Sequence, residues 1–276
     1  MPTLSSSSPP AAAHAAPPVP PRTPLLSGRM ADRLFAGMAH AAALLTLGLL
    51  LAWPTLADEP PASSLAAETV INGCRIAPKT QCPGANLRHA DLKAANLAGA
   101  NLATATLTRA SLPGADLAGA NLVRADLSGA NLTGALLGRA ALEQADLTGA
   151  DLRRAQLAGA SNLGSATLTG ANLSGQTLRG LDLTGKDLTG TNFTNADLSG
   201  AILVKAILTD TILTGANLRG ANLRQANLRG KNLTGTTLTG ADLASADLRD
   251  VDLSGKDLTG ANLTLARLVG AHLSGA

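Results

Sequence analysis

Leucine recurs at every fifth position from Leu87 onward, with a single interruption. The first 15 units run from Leu87 to Leu157, a one-residue insertion at Ala160 shifts the frame, and 23 more units follow from Leu163. Of these 38 central positions, 37 are Leu and one is Phe193. This spacing constrains the backbone more than any other feature of the chain.

A period of five residues fits neither a long α-helix nor a continuous strand. Five helical residues turn through about 500°, so the leucines would spread around the whole helix. On one strand an odd period would place successive leucines on opposite faces. The remaining solution is a short strand followed by a bend in every unit, with stacked turns of the chain pairing as parallel strands.

Each unit assigns its side chains to the inside, the outside or the bend, as in Ala95-Asn96-Leu97-Ala98-Gly99. The Ala and the Leu lie two residues apart and face inward together, while the Asn between them faces outward. The fifth residue forms the corner, and it is Gly in 22 of the 38 units, since Gly tolerates bend dihedral angles. Aromatic residues make up only 1% of the chain, so the core consists of Leu and Ala, which argues against most mixed α/β enzymes.

The A-(D/N)-L-x-x pattern resembles the pentapeptide repeat family over about 190 of the 276 residues. The resemblance implies an all-β fold, a right-handed quadrilateral parallel β-helix with four units per coil. Residues 85–276 would then form about 9.5 coils. Such a stack needs caps, because an open end exposes core and unpaired strand edges.

The N-terminal 57 residues are typical of an export segment. Residues 1–29 are rich in Pro and Ser, which predicts a disordered extension, or a stretch upstream of a true start at Met30. Residues 30–57 have the pattern of a signal peptide: basic residues, an apolar run from residue 36 to residue 52, and Thr55-Leu56-Ala57. We expect cleavage between Ala57 and Asp58 and a periplasmic or secreted product. The alternative is an uncleaved membrane anchor, for which the apolar run is short.

Residues 58–84 precede the repeats as a linker and contain Cys74 and Cys82. In an exported chain two cysteines this close predict a disulfide. Cys82 lies five residues before Leu87, in the leucine register. The pair is therefore expected to close the first coil as an N-terminal cap.

One face of the predicted coil departs from the consensus. The small inward residue is Ala in each of the first 15 units but in only 13 of the next 23, and Phe193 lies on the face where larger residues stack. The same face has an outward column of hydroxyls at Ser174, Thr194, Thr214, Thr234, Ser254 and Ser274. This pattern indicates either local repacking or a surface for a partner. A flat hydroxyl column also leaves ice binding as an alternative.

No residue set in the sequence predicts catalysis, a cofactor or a metal site. The Asp residues recur at outward positions, and His89 and His272 lie at opposite ends of the repeats. We therefore expect a protein that is not an enzyme and has no small-molecule substrate. Residues 85–276 carry 17 basic and 15 acidic groups. This balance favours neither nucleic-acid binding nor a second alternative, a topoisomerase modulator that mimics DNA.

The C-terminal end of the sequence stays in the repeat register to Gly275-Ala276, without a capping helix. An uncapped coil exposes apolar side chains and strand edges. We expect a homodimer through residues 256–276. The predicted function is an exported structural or protein-interaction rod whose other partner is an envelope or extracellular protein.

Overall fold

The computed structural model describes residues 69–160 and 162–276. The described part begins with a hairpin of two short antiparallel strands, β1 (Val70–Ile71) and β2 (Cys74–Arg75). Asn72 and Gly73 connect them with φ values of 48° and 79°. Two successive positive φ values are those of a type I′ turn, which matches the twist of paired strands.

Beyond the hairpin the chain forms stacked coils joined by isolated parallel β-bridges. Bridge partners before the insertion lie 20 residues apart, as in Asn96 and Asp116, so a coil consists of four five-residue units. Each coil bonds to the next through its main chain; Leu97 N, for example, donates to Asp116 O at 2.7 Å. The fold is therefore a parallel β-helix, and the predicted pairing of stacked turns is confirmed.

The coil begins before the first leucine unit. Gln81 already bridges to Asn101, and Lys79 N donates to Ala98 O at 2.8 Å. The ladder thus extends into the segment that precedes Ala85, and the hairpin lies directly before it.

Every unit bends through a β-turn around its fourth and fifth residues. In one such turn Ala115 N donates to Leu112 O at 3.1 Å, and the corner residue Gly114 has a φ of 66°. A positive φ at the third turn position alone is characteristic of a type II turn. Apart from Ser165, every corner from residue 89 to residue 275 has a positive φ, in 22 glycines and 15 other residues. The turn geometry therefore belongs to the repeat and does not require Gly at each corner.

The outward Asp or Asn of a unit stabilises the turn that follows it. Asn192 Oδ1 accepts the Thr194 N–H at 2.9 Å, and Asp146 Oδ1 accepts the Thr148 N–H at 2.9 Å. This is the local side-chain to main-chain bond that Asx residues make in turns. It explains why the second position of a unit is so often Asp or Asn.

The insertion predicted at Ala160 changes the register without ending the stack. Asp146 bridges to Thr167 and Asp151 bridges to Asn172, both 21 residues apart. After the insertion in the sequence, a short 3-10 helix, Leu163–Ser165, returns Leu163 to the core. Later coils return to the 20-residue spacing.

Polar residues at the inward small position are buried but hydrogen-bonded. Thr191, Thr211 and Thr236 donate through Oγ1 to a leucine carbonyl 23 residues earlier, at 2.8, 2.8 and 3.0 Å. Gln176 Nε2 donates to Leu152 O at 2.7 Å. Among the described residues, no buried side-chain nitrogen or oxygen lacks a partner. The core thus accepts these substitutions because the coil below supplies a carbonyl.

Gly164 should be essential to the insertion. A Cβ added there would lie 2.3 Å from Asp182 O, whereas a Cβ at Gly138 would lie 3.5 Å from Ala158 O. Both glycines occupy the position after the central leucine, and neither has a positive φ. We expect Gly164→Ala to lower the free energy of unfolding by about 1–3 kcal/mol through steric overlap, while Gly138→Ala has little effect. Urea unfolding followed by circular dichroism measures both, and equal stabilities of the two variants would contradict this account.

Candidate interaction surfaces

The N-terminal cap consists of the hairpin and a disulfide. The Cys74 and Cys82 sulfurs are bonded, with their Cα atoms 5.6 Å apart. Cys74 is buried, while Cys82 is partly buried against the core. Since Cys82 lies in the leucine register, the bond ties β2 to the first coil.

The hydroxyl column predicted on the Phe193 face is present as a stack. We use the name Phe193 face for the units centred on Leu173, Phe193, Leu213, Leu233, Leu253 and Leu273. Main-chain bonds join several of its coils, with Gly175 N donating to Thr194 O and Gly215 N to Thr234 O, both at 2.8 Å, but they are missing between the Leu233 and Leu253 units. The hydroxyl-bearing residues are partly or fully exposed along the column.

Phe193 itself does not contribute to the outer surface. Its side chain is fully buried in the Leu and Ala core, so it can shape this face only through packing. Thr194 Oγ1 is bonded to Asn192 Oδ1 at 2.6 Å, and its hydroxyl proton is therefore committed within the same unit.

The C-terminal coil exposes apolar surface at the end of the described stack. Leu265 is 81% exposed, Val269 77% and Leu273 41%. Leu258, Leu263 and Leu268 are only partly buried, although their counterparts in the middle of the repeats are fully buried. The coil therefore leaves both core and flanking side chains open to a partner.

A second apolar set lies at Ile202, Ile207 and Ile212, which our sequence analysis did not single out. They are 36%, 49% and 45% exposed and follow one another on successive faces of one coil. Each occupies the outward position that holds Asp or Asn in most units, so the replacement was visible in the sequence. Because they lie on different faces, they do not form one flat patch.

Several charged side chains on the rod are paired with opposite charges. Arg249 Nε donates to Asp247 Oδ1 at 2.8 Å, and Arg267 Nη1 lies 3.6 Å from Asp247 Oδ2. Further ion pairs join Asp151 to Arg153, Asp197 to Arg179, Asp242 to Arg224 and Asp250 to Arg229. These pairs place arginines directly beside acidic groups at five positions of the described surface.

The hydrogen bonds from arginine lower the pKa of two of these carboxyls. Arg249 holds the pKa of Asp247 at about 2, and Arg179 does the same for Asp197. These bonds favour the charged form of the carboxyl. Both residues keep solvent contact, so they are surface ion pairs and do not have the buried setting typical of a catalytic acid.

Residues 69–160 and 162–276 contain no group of three or more His, Cys, Asp or Glu side chains placed to hold a metal ion. They also contain no helix long and apolar enough to span a bilayer. The predicted signal peptide at 30–57 and its cleavage site between Ala57 and Asp58 lie outside the described residues.

The fold and its surfaces define a solenoid of five-residue units with side chains displayed on flat faces. The Pentapeptide repeats family model matches in eight copies, within residues 85–122 and 125–276. The chain belongs to the pentapeptide repeat family, which confirms the resemblance drawn from the sequence.

Solved structures of the same family are similar to this chain. HetL, a protein involved in heterocyst differentiation regulation from the cyanobacterium Nostoc sp. strain PCC 7120, is 37% identical, with 71% of this chain and 86% of HetL covered and a TM-score of 0.41. QnrB1, a plasmid-mediated fluoroquinolone resistance protein, is 20% identical over 72% of this chain and 86% of its own, with a TM-score of 0.24. A pentapeptide repeat protein from the Arabidopsis thaliana thylakoid lumen is 23% identical over 62% and 70%, with a TM-score of 0.19. No curated protein matches the chain significantly.

Replacing Arg249 should raise the pKa of Asp247. In Arg249→Gln we expect the Asp247 pKa to rise from about 2 toward the ordinary value of about 3.9, because the main bond to the carboxylate is lost. A depressed native pKa stabilises the fold above the unfolded pKa, and that contribution disappears as the pH falls from about 4 to about 2. Carboxyl chemical shifts in an NMR pH titration measure the change. Asp197 is the internal control, and a shift of its pKa in the same variant would indicate a general disturbance of the coils.

Proposed function

We propose that this protein is an exported, non-enzymatic rod that acts as a structural or protein-interaction module. In this proposal the repeats form about 9.5 quadrilateral coils. The observation that carries the proposal is the disulfide between Cys74 and Cys82. Structural disulfides persist in oxidising compartments outside the cytoplasm, and this one follows closely behind a predicted signal peptide.

The architecture supports a binding role. Main-chain bonds between coils hold the faces in place, so outward side chains are displayed on a stiff support without an ordering cost at each contact. The outward carboxylates are used in turns and ion pairs, as for Asp146 with the Thr148 N–H and Asp247 with Arg249. Side chains committed in this way build a surface and do not converge on a substrate.

We propose the periplasm or the extracellular space as the location and an envelope or extracellular protein as a partner. The hydroxyl column of the Phe193 face is the surface we assign to that partner. The topoisomerase alternative is not favoured, because a DNA mimic needs a continuous acidic surface whereas the acidic groups here alternate with arginines. The ice-binding alternative is weakened because the Thr194 hydroxyl donates its proton to Asn192 Oδ1 and so does not offer it to ice.

We further propose that two copies join through the C-terminal coil, residues 256–276. The partly exposed leucines of this coil and the exposed Leu273 leave apolar surface that a second copy would cover. Burial of such surface is the main driving force for stable association.

Export predicts a defined mature form. Cell fractionation with N-terminal sequencing should give an extracytoplasmic protein that starts at Asp58, with both cysteines protected from alkylation until a reductant is added. A cytoplasmic protein that retains Met1 or Met30 would refute export. A membrane fraction that keeps the apolar run of residues 36–52 would instead support an anchor.

Dimerisation predicts a specific effect of charge at the open end. Leu273→Glu should weaken self-association by about tenfold or more, because a carboxylate would be buried without a partner. Ile207→Glu is the matched control, since Ile207 has similar exposure at 49% but lies away from the end. Sedimentation equilibrium distinguishes the two variants. A wild-type protein that remains monomeric at high concentration would refute the dimer.

A further inference from the structure

Three lysines occupy the inward position that normally holds a small residue: Lys186, Lys231 and Lys256. Two of them reach the main chain of the coil below, with Lys186 Nζ 3.3 Å from Ala166 O and Lys256 Nζ 3.3 Å from Thr236 O. In an undisturbed unit the equivalent carbonyl accepts a main-chain N–H, as Ala221 O does from Asp242 at 2.9 Å. An inward lysine thus competes with the ladder between coils.

The ladder is open at Lys231, on the Phe193 face. Asn232 forms no β-bridge, and the N–H groups of Leu233, Gly235 and Asp252 have no main-chain acceptor among the described residues. Toward the coil below on the same face, Gly215 N still donates to Thr234 O at 2.8 Å. In a regular stack these N–H groups point along the rod axis at the neighbouring coil, so here they face the gap.

A cleft of about 440 Å³ occupies this gap. Its lining includes Lys231, Leu233, Gly235, Asp250, Asp252 and Lys256. Its volume lies within the range of small-molecule sites. The lining therefore combines two ammonium groups and two carboxylates with main-chain donors on the facing edges of two coils.

Lys231 is the charged residue of the cleft without a partner in the described part of the chain, whereas Lys256 bonds to Thr236 O at 3.3 Å and both carboxylates accept hydrogen bonds. Asp250 Oδ2 accepts from Arg229 Nε at 3.0 Å, and Asp252 Oδ1 accepts from Ser254 N at 2.9 Å. Lys231, which is only partly exposed, makes no hydrogen bond or ion pair with any residue of the described ranges. A partly exposed ammonium that is not bonded to a carboxylate, beside free N–H donors, favours an anion.

We propose that this cleft is a binding site for a small oxyanion, of the carboxylate or phosphate type. The Lys231 ammonium supplies the charge, and the N–H groups of Leu233 and Gly235 donate hydrogen bonds to the oxygens. This proposal does not depend on export or dimerisation. It names a ligand class for the Phe193 face, which is also the face to which we assign the protein partner. An acidic group of a partner would present the same chemistry as a free anion.

Two substitutions of Lys231 separate the charge from the shape of the cleft. Lys231→Met keeps the side-chain length but removes the ammonium, and we expect it to weaken oxyanion binding by about tenfold or more. Lys231→Ala restores the small residue of the other units, and we expect it to close the gap, raise the melting temperature and abolish binding. Lys186→Met is the matched control, because Lys186 has the same place in its unit but lies on another face.

Amide chemical shifts during titration with inorganic phosphate, and separately with acetate, give the readout. The wild-type protein should show saturable shifts at Leu233, Gly235 and Asp252 with at least one of the two anions, and Lys186→Met should reproduce them. The proposal is overturned if neither anion moves these amides, or if Lys231→Met binds as the wild type does. Equal losses in Lys186→Met and Lys231→Met would indicate diffuse charge attraction and would also overturn it.

Discussion

The distance between stacked coils depends on one side chain per unit, the inward residue two positions before the central leucine. Parallel strands pair at about 4.8 Å, so a residue that projects between coils must be small or must satisfy its polar atoms there. Ala meets the first condition, and the buried Thr191 and Thr211 meet the second by donating to carbonyls of the coil below. Lysine is not small, and its ammonium is at most partly satisfied between the coils. Main-chain hydrogen bonds to the coil below are missing at all three inward lysines. Stability and surface geometry are therefore controlled from the same position.

The positive φ of the corner residues is determined by the turn hydrogen bond and not by the presence of glycine. Arg109, Arg124, Arg139 and Arg154 all adopt φ values between 54° and 59°, although the left-handed region costs a side chain roughly 1–2 kcal/mol. Whether a corner can hold a side chain also depends on the corner residue of the neighbouring coil. Asn195 folds its side chain over Gly215, where an added Cβ would lie 2.1 Å from Asn195 Oδ1. A corner side chain of this kind needs a glycine in the next coil, which couples corners 20 residues apart.

The sequence was sufficient to predict the fold class because one period controls every unit. The five-residue spacing predicts the inward Leu and Ala, the outward Asx and the corner, and the structure has all three. The insertion at Ala160 was equally visible, since it shifts the leucine frame. The Asn72-Gly73 turn of the cap is a strong hairpin signal that our reading of the linker did not use.

The cleft at Lys231 could not be predicted from the pattern, because its cause is the absence of bonds between residues 20 positions apart. The inward lysines are visible in the sequence, and a lysine side chain is long enough to bring its amine to the rim of a coil while its stem packs inside. Lys186 and Lys256 approximate that behaviour by bonding to a carbonyl of the coil below. Lys231 differs because Val251, and not Ala, lies above it in the same inward column and is itself buried. Thr211 lies below Lys231 in this column, so three successive inward residues are larger than Ala, and the main-chain bonds are missing between the units of Lys231 and Val251.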